Sequence, residues 1–227
     1  MGYTPGQVLG GRWKPLHHLM ASHLYRDVIS VCGAAGSCYA RSDDALAPFA
    51  GAVALSLLRF STSAVTPLKS VPVALPRGAA AFAYFCLGSG DPAAACQPVA
   101  EVLAASGCSP ADCALLVDPG AVPCAAPGEV CGNFQLLAPP AQLRLPRAHV
   151  TAALGGETRA DGAVRVDLAA DAFALYVWLS CGAQGRFEDN FFALRQGARS
   201  VWFLPGEGFD AAELAATLRV EHVAMYQ

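Results

Sequence analysis

Residues 163–180 read AVRVDLAADAFALYVWLS and contain two runs in which apolar side chains recur at every second position. Because successive side chains of a β-strand point to opposite faces of a sheet, this spacing predicts two strands that each bury one face. Arg165 and Asp167 lie on the polar face of the first strand, while Tyr176 and Trp178 of the second point outward or toward a neighbour. The residues predicted to face the core are Val164, Val166, Leu168, Phe173, Leu175, Val177 and Leu179.

The surrounding sequence continues this pattern, with SVWFLP at 200–205 and TLRVEHV at 217–223 as later strands. About seven strands in roughly 85 residues, with turns every 8–12 residues, are typical of an immunoglobulin-like β-sandwich. Pro139 and Pro140 have no backbone N–H for a sheet, so we place a domain boundary beside them. Residues 141–227 are therefore predicted to form a C-terminal Ig-like sandwich.

Residues 28–140 also alternate between short apolar strands and Gly, Pro or Asp turns, which predicts a first Ig-like sandwich. One helical stretch, Pro98 to Ser106, interrupts the strands and is predicted as a helical insertion. The predicted strands lie in DVISVCG (27–33), SCYARSDD (37–44), GAVALSLLRFS (51–61), LKSVPVALP (68–76), AAAFAYFCL (79–87), 114–117 and NFQLLA (133–138).

The first 27 residues are predicted to contain one amphipathic helix, from Gly10 to Asp27. Its apolar stripe consists of Trp13, Leu16, Met20 and Leu24. A single helix of this length is marginal in water, so the stripe is expected to dock on another surface. The predicted fold is thus mainly β, with two tandem Ig-like sandwiches (28–140 and 141–227) preceded by one N-terminal helix (1–27).

Composition excludes several classes of protein. Of 227 residues, 54% are hydrophobic and 15% are charged, which excludes a disordered chain. The net charge is −3 and the basic residues are scattered, so nucleic acid is not an expected partner. The longest apolar runs are about eight or nine residues, far short of the ~20 of a transmembrane helix, and the N-terminus does not resemble a signal peptide.

The nine cysteines show no CxxC motif, and the histidines complete no zinc pattern. Two interpretations remain open, namely disulfides in an oxidising compartment and free thiols in a reducing one. The spacings favour two local disulfides, Cys108 with Cys113 and Cys32 with Cys38. The odd number leaves at least one cysteine unpaired, and Cys181, within an apolar strand pattern, is the predicted buried one.

The histidines of the N-terminal segment suggest a metal site at first sight. However, His17 and His18 lie six and five positions before His23, so neither pair has the i, i+4 spacing of a metal-binding helix. No P-loop or dinucleotide fingerprint occurs either. We therefore predict no metal and no cofactor.

Candidate hydrolase groups are equally weak. Gly88-Ser89-Gly90 falls short of the GxSxG nucleophile motif and precedes an Asp-Pro turn. A retaining glycosidase needs two carboxyl groups about 5–5.5 Å apart. The pairs Asp43–Asp44 and Glu188–Asp189 are adjacent in turns or strands, where their side chains diverge. No catalytic residue is predicted.

Three segments, in this order, resemble the glycoside hydrolase family 2 β-mannosidases. GGRWKPLHHL resembles the GG-[KR]-W-K-x-L-H-Y segment that closes the catalytic barrel, and His18 replaces the family's aromatic residue. The helix followed by GCSPADC resembles the middle domain of the animal lysosomal enzymes, and YVWLSCGAQGRFEDNFFAL their last domain. The matching positions are Gly10, Gly11, Arg12, Trp13, Lys14, Leu16 and His17, then Gly185, Arg186, Phe187, Asp189 and Asn190.

The resemblance implies that residues 1–27 are the remnant last helix of a TIM barrel and that the missing catalytic barrel is the partner of the helix stripe. In the family both catalytic glutamates lie upstream of this segment, so no catalytic position carries over and the chain alone is expected to be inactive. The parent enzyme would hydrolyse terminal non-reducing β-D-mannose residues in oligosaccharides and glycoproteins. The resemblance also implies a lysosomal or secretory location.

Two alternatives follow from the same residues. The chain could be a free-standing Ig-like carbohydrate-binding or adhesion module, in which Trp178, Trp202 or Tyr176 stacks on a sugar. Aromatic residues in strands more often pack in cores, which disfavours this interpretation. The other alternative is an autonomous hydrolase that uses Glu188 or Asp189, and we expect no turnover from it.

Overall fold

The structure is a computed structural model that describes residues 7–8, 12–24, 26–78, 81–88, 95–120, 128–130 and 132–227. Its helices are α1 (Pro15–His23), α2 (Val99–Ala105) and α3 (Ala211–Thr217), with short 3-10 helices at Pro140–Gln142 and Val223–Tyr226. Its strands are β1 (Gln7–Val8), β2 (Arg12–Trp13), β3 (Val28–Cys32), β4 (Ser37–Ser42), β5 (Phe49–Arg59), β6 (Val65–Leu75), β7 (Ala81–Cys86), β8 (Cys113–Asp118), β9 (Asn133–Leu136), β10 (Val150–Thr158), β11 (Val164–Ala170), β12 (Ala174–Ser180), β13 (Gly185–Phe187), β14 (Phe192–Leu194), β15 (Gly197–Pro205) and β16 (Arg219–Glu221).

The chain divides into two compact units. The central unit comprises the described residues within His23–Cys124 and Val130–Arg144. The C-terminal unit comprises Leu145–Gln227 together with the described residues within Met1–Ser22 and Ala125–Glu129. The N-terminal segment therefore groups with the last part of the chain.

The central unit contains a three-stranded sheet, in the order β3-β4-β7, and a four-stranded sheet, in the order β6-β5-β8-β9. All neighbouring strands are antiparallel. The two sheets and α2 share one core, to which Leu55, Leu115, Phe85 and Leu103 contribute. Strand β6 is the outermost strand of its sheet and contains Pro67 and Pro72.

The C-terminal unit contains a four-stranded antiparallel sheet, in the order β10-β11-β15-β13, and a three-stranded one, in the order β14-β12-β16. Buried side chains from both sheets meet in a second core, among them Leu168, Val177, Leu179 and Phe203. α3 adds the fully buried Leu214 to this core, and the side chain of Asp210 caps its first turn by accepting a hydrogen bond from the N–H of Ala212.

The predicted mainly β fold with antiparallel sheets and one helix near the N-terminus is confirmed. The predicted core face of residues 173–180 is also confirmed, because Phe173, Leu175, Val177 and Leu179 are all buried. The predicted helical insertion is α2, and Pro98 and Ser106 occupy its cap positions.

The predicted helix from Gly10 to Asp27 is wrong in its length. The observed helix α1 begins at Pro15 and ends at His23, and Trp13 lies in strand β2. Proline is favoured in the first turn because it needs no N–H partner there, whereas the residue before a proline is disfavoured in helical conformation. Pro15 therefore starts the helix and keeps the preceding residues extended.

The alternation in β12 has one irregularity that the sequence did not indicate. Its register against β14 shifts between Ala174 and Val177, and Tyr176 has a positive φ of 53°. A bulge of this kind inserts one residue and re-aims the side chains beside it. As a result Ala174 and Leu175 are both buried.

Candidate functional site

The N-terminal segment packs within the C-terminal unit through an aromatic cluster rather than through the predicted stripe. The helix residue buried here is His18, whereas Leu16 and Leu24 are 59% and 56% exposed. Trp13 and Met20 are half-buried. The face proposed for barrel docking is thus partly open to solvent on the described residues.

The cluster is built from rings on α1, β2 and β12. The Trp13 ring lies 3.8 Å from the His17 ring, and the His18 ring lies 6.4 Å from that of Trp178 in an edge-on arrangement, both measured between centroids. The guanidinium carbon of Arg186 lies 4.9 Å from the centroid of Trp13. A cation over an indole face is attracted by the ring quadrupole, so Arg186 helps to hold Trp13 in place.

The loop after β13 fixes the other side of the cluster through Asn190. Its side-chain oxygen accepts hydrogen bonds from the N–H groups of Leu179 (2.7 Å) and Phe191 (3.0 Å), and its amide donates to the carbonyl of Leu179 (2.8 Å). Phe191, with a positive φ of 60°, stacks on Tyr176 at 4.6 Å between centroids. Two bulky residues at positive φ in contact show that this segment is held firmly in an uncommon conformation.

These elements enclose a cavity of about 230 Å³. We call it the aromatic cavity. Its main walls are Trp13, His18, Trp178, Arg186, Phe187 and Phe203.

Burial controls the protonation of the cavity histidine. Desolvation lowers the pKa of His18 to about 4, against the attraction of the Asp189 carboxylate, and His17 lowers it further. His18 is therefore neutral at pH values well below its ordinary pKa of 6.5. Asp189 itself forms an ion pair with Arg199, which also lies 3.4 Å from Glu129.

Each carboxylate considered for catalysis is held by a neighbour. Asp43 pairs with Arg41 at 2.7 Å, and Asp44 accepts hydrogen bonds from two backbone N–H groups in its own turn. Glu188 pairs with Arg159 at 3.2 Å while Asp189 pairs with Arg199. The Glu188 and Asp189 side chains thus bond to different arginines and do not face a common substrate position.

The remaining candidates are a serine nucleophile, a metal site and a membrane-spanning helix. Ser89 lies outside the described residues. Within the described ranges, no group of three or more His, Cys, Asp or Glu side chains could hold a metal ion. No described helix is long and apolar enough to cross a membrane.

The cysteines form three disulfides among the described residues: Cys32–Cys38, Cys108–Cys113 and Cys86–Cys96. The first joins residues that lie directly opposite each other in β3 and β4. Sequence reasoning missed the third, although nine residues separate Cys86 from Cys96. Cys124 and Cys131 lie outside the described residues.

Cys181 is in none of the three disulfides of the described residues, as predicted, but it is not buried. It is partly exposed, lines the aromatic cavity, and its sulfur lies 3.8 Å from the carbonyl oxygen of Ala183. The prediction of burial was wrong because Cys181 follows β12, where the strand alternation has already ended.

The aromatic residues considered for sugar stacking are largely engaged. Tyr176 stacks on Phe191, and Arg159 lies over the Trp202 ring at 5.1 Å from its centroid. Trp178 lines the aromatic cavity, and its ring also contacts those of His18 and Phe191 edge-on. The sequence predicted that Trp178 faces outward or toward a neighbour. The contact of Arg186 with the Trp13 ring could not be predicted, because the two residues lie far apart in the chain.

Comparison with known proteins agrees with this architecture. Residues 145–225 match the family model Ig_mannosidase, described as an Ig-fold domain. The last part of the chain is therefore an immunoglobulin-like domain. More particularly, it is an Ig-like domain of the kind found in mannosidase-type glycoside hydrolases. No curated protein matches the sequence.

Among solved structures, the chain is similar to the β-D-mannosidase of Dictyoglomus thermophilum, with 17% sequence identity and a TM-score of 0.58 over 92% of this chain and 23% of that one. It is also similar to the exo-chitosanase CsxA of Amycolatopsis orientalis, with 13% identity and a TM-score of 0.44 over 87% of this chain and 25% of that one. The chain thus spans about a quarter of the length of the solved structures that it matches. At 17% identity the likeness to the β-D-mannosidase shows the fold alone.

Proposed function

We propose that the chain is the non-catalytic C-terminal portion of a glycoside hydrolase family 2 β-mannosidase. The observation that carries this proposal is the Ig-fold domain of mannosidase type at residues 145–225. The fold likeness to a β-D-mannosidase extends over 92% of this chain, which supports the same assignment for the central unit. The parent enzyme would hydrolyse terminal non-reducing β-D-mannose residues in oligosaccharides and glycoproteins.

In this proposal the chain braces a catalytic barrel through helix α1. The exposure of Leu16 on α1 and of Leu24 directly after it supports this role, since exposed apolar side chains are better covered by a partner surface. Catalysis would belong to the barrel. The ion pairs of Glu188 and Asp189 agree with a structural use of both carboxylates.

The first test is activity. We expect the purified chain to release no 4-nitrophenol from 4-nitrophenyl β-mannoside. Turnover that is lost in Glu188→Gln, with the fold intact, would instead make the chain an autonomous hydrolase.

The second test is the transcript upstream of Met1. A reading frame that continues into a barrel with two glutamates would support the proposal. A stop codon in frame immediately upstream would contradict it.

A lysosomal or secretory location belongs to the same proposal. Its support is the presence of three disulfides among the described residues, because structural disulfides persist mainly in oxidising compartments. Mass spectrometry of the protein from its native source, after alkylation without reduction, should find these six cysteines unmodified. Six alkylated cysteines would contradict this location.

The alternative function, a free-standing carbohydrate-binding or adhesion module, depends mainly on Trp178, the one of its three candidate aromatic residues that lines the cavity. A glycan array separates the two proposals. Specific binding that disappears in Trp178→Ala would favour the module.

A further inference from the structure

We propose that the aromatic cavity binds a small molecule in which a single flat ring carries a carboxylate, and that the guanidinium group of Arg186 holds this carboxylate. The inference uses residues of the C-terminal unit alone and does not depend on the proposed function.

The size and walls of the cavity suit one ring. Its volume of about 230 Å³ lies below the roughly 300–1,000 Å³ of sites for drug-sized ligands. Trp178, Phe187 and Phe203 present aromatic surfaces to it. Flat rings gain both burial and favourable edge-on or offset contacts against such walls.

The charge of the cavity favours an anion. Arg186 and Lys14 both line it, and neither forms an ion pair with a described residue, whereas no described carboxylate lines it. The Nε atom of Arg186 is buried and has no hydrogen-bond partner in the described structure. A guanidinium donates two parallel hydrogen bonds to a carboxylate, so a bound acid would satisfy this orphaned donor.

The scarcity of other polar groups disfavours a neutral sugar. The Asn190 amide also lines the cavity, but its oxygen already accepts from the N–H groups of Leu179 and Phe191, and one of its two N–H groups already donates to Leu179. Apart from the two cations and the neutral His18, the hydroxyl of Ser180 and the thiol of Cys181 are the polar side chains that remain. A pyranose presents hydroxyls around its whole ring, and burying them without partners costs free energy.

The test compares two ligands of nearly the same shape, benzoate and its neutral analogue benzamide. Titration of the whole chain, followed by tryptophan fluorescence and by isothermal calorimetry, should show saturable benzoate binding below roughly 10 mM. Benzamide should bind at least about tenfold more weakly, since it lacks the charge that Arg186 pairs with. Benzoate binding should also weaken as salt is added.

Variants of Arg186 then test whether its guanidinium group binds the carboxylate. Arg186→Gln should weaken benzoate binding by about tenfold or more, and Arg186→Lys should recover only part of it because lysine lacks the paired donors. Arg147→Gln, at an exposed arginine of the same unit, is the matched control and should leave binding unchanged. Far-ultraviolet circular dichroism checks that each variant is folded.

Three results would overturn the inference. They are equal binding of benzoate and benzamide to the wild-type chain, no benzoate binding at all, and tighter binding of methyl β-mannoside than of benzoate. The comparison of ligands on the wild-type chain keeps the test decisive even where an Arg186 variant fails to fold.

Discussion

Asn190 is the residue on which the local structure of the aromatic cavity depends most. It is 3% exposed, and its side chain supplies the backbone of Leu179 and Phe191 with three hydrogen bonds. The pairing of β12 with β14 ends at Val177, so the backbone groups of Leu179 that face this side would otherwise remain buried without partners. Asparagine suits this position because one short side chain contains both a donor and an acceptor.

Asn190→Ala should therefore lower the free energy of unfolding by about 2–3 kcal/mol, because it leaves buried backbone N–H and C=O groups unpaired. Urea denaturation followed by tryptophan fluorescence measures the change. Gln184→Ala, at an exposed position of the same unit, is the control and should cost less than about 0.5 kcal/mol. Equal stabilities of the two variants would contradict this role of Asn190.

His18 makes stability depend on pH. Its pKa is lowered to about 4 in the folded protein by burial, from the ordinary 6.5, so between these values the unfolded chain binds a proton that the folded chain does not. The free energy of unfolding should thus fall as the pH decreases from 6.5 toward 4, by about 1–2 kcal/mol after allowance for solvent screening. His18→Gln should remove this part of the dependence.

The measurement is urea denaturation of wild type and His18→Gln at several pH values from 7 to 4.5. Burial also lowers the pKa of His222, so some dependence should persist in the variant, and the difference between the two proteins is the quantity to follow. A difference that stays constant over this range would show that His18 does not titrate as described.

At the scale of the elements, the sequence predicts the buried face of strand β12 but not the bulge within it. The alternation in residues 173–180 predicts the buried face because side chains at every second position of a strand point to the same side, whatever the rest of the chain does. The bulge at Tyr176 instead accompanies the stacking of its ring on Phe191, which lies in another segment. The apolar stripe extends the predicted helix to Gly10, whereas the ring of Pro15 disfavours helical conformation in the residue before it, so α1 begins at Pro15. The Arg186–Trp13 contact is likewise tertiary, so no local pattern could reveal it.

The Cys86–Cys96 disulfide joins the last residue of strand β7 to a cysteine ten positions later in the chain. In the chain-entropy view, such a cross-link stabilises the folded protein by about 2–3 kcal/mol. The double variant Cys86→Ser/Cys96→Ser should lose this amount in urea denaturation. A matched double variant, Cys32→Ser/Cys38→Ser, should lose less because its loop is shorter and strand pairing already holds the two residues together. The reverse order of the two losses would contradict this explanation.

At the scale of the whole molecule, the residues that the structure describes form two separate hydrophobic cores. One is shared by the two sheets of the central unit and includes Leu115, and the other lies between the sheets of the C-terminal unit and includes Leu179. Both leucines are essentially inaccessible to solvent. Each core is therefore expected to stabilise its own unit.

A matched pair of cavity-creating variants tests this independence. Leu115→Ala and Leu179→Ala should each cost about 2–5 kcal/mol. Hydrogen exchange followed by mass spectrometry should show faster exchange in β5 and β8 for the first variant and in β12 and β15 for the second. Faster exchange in both units for either variant would show that the two cores do not stabilise their units separately.

The outermost strand β6 has a consequence for the behaviour of many copies together. A strand at the rim of a sheet offers free N–H and C=O groups on which another chain can pair, and such pairing can propagate into fibrils. Pro67 and Pro72 each remove one N–H from this rim and resist incorporation into a continuous cross-β ladder. Pro67→Thr/Pro72→Thr should therefore form thioflavin-positive aggregates sooner than wild type at the same concentration. Unchanged aggregation kinetics would mean that another feature protects this edge. The expected result would show that two prolines prevent the strands of other copies from adding to this sheet in a concentrated solution.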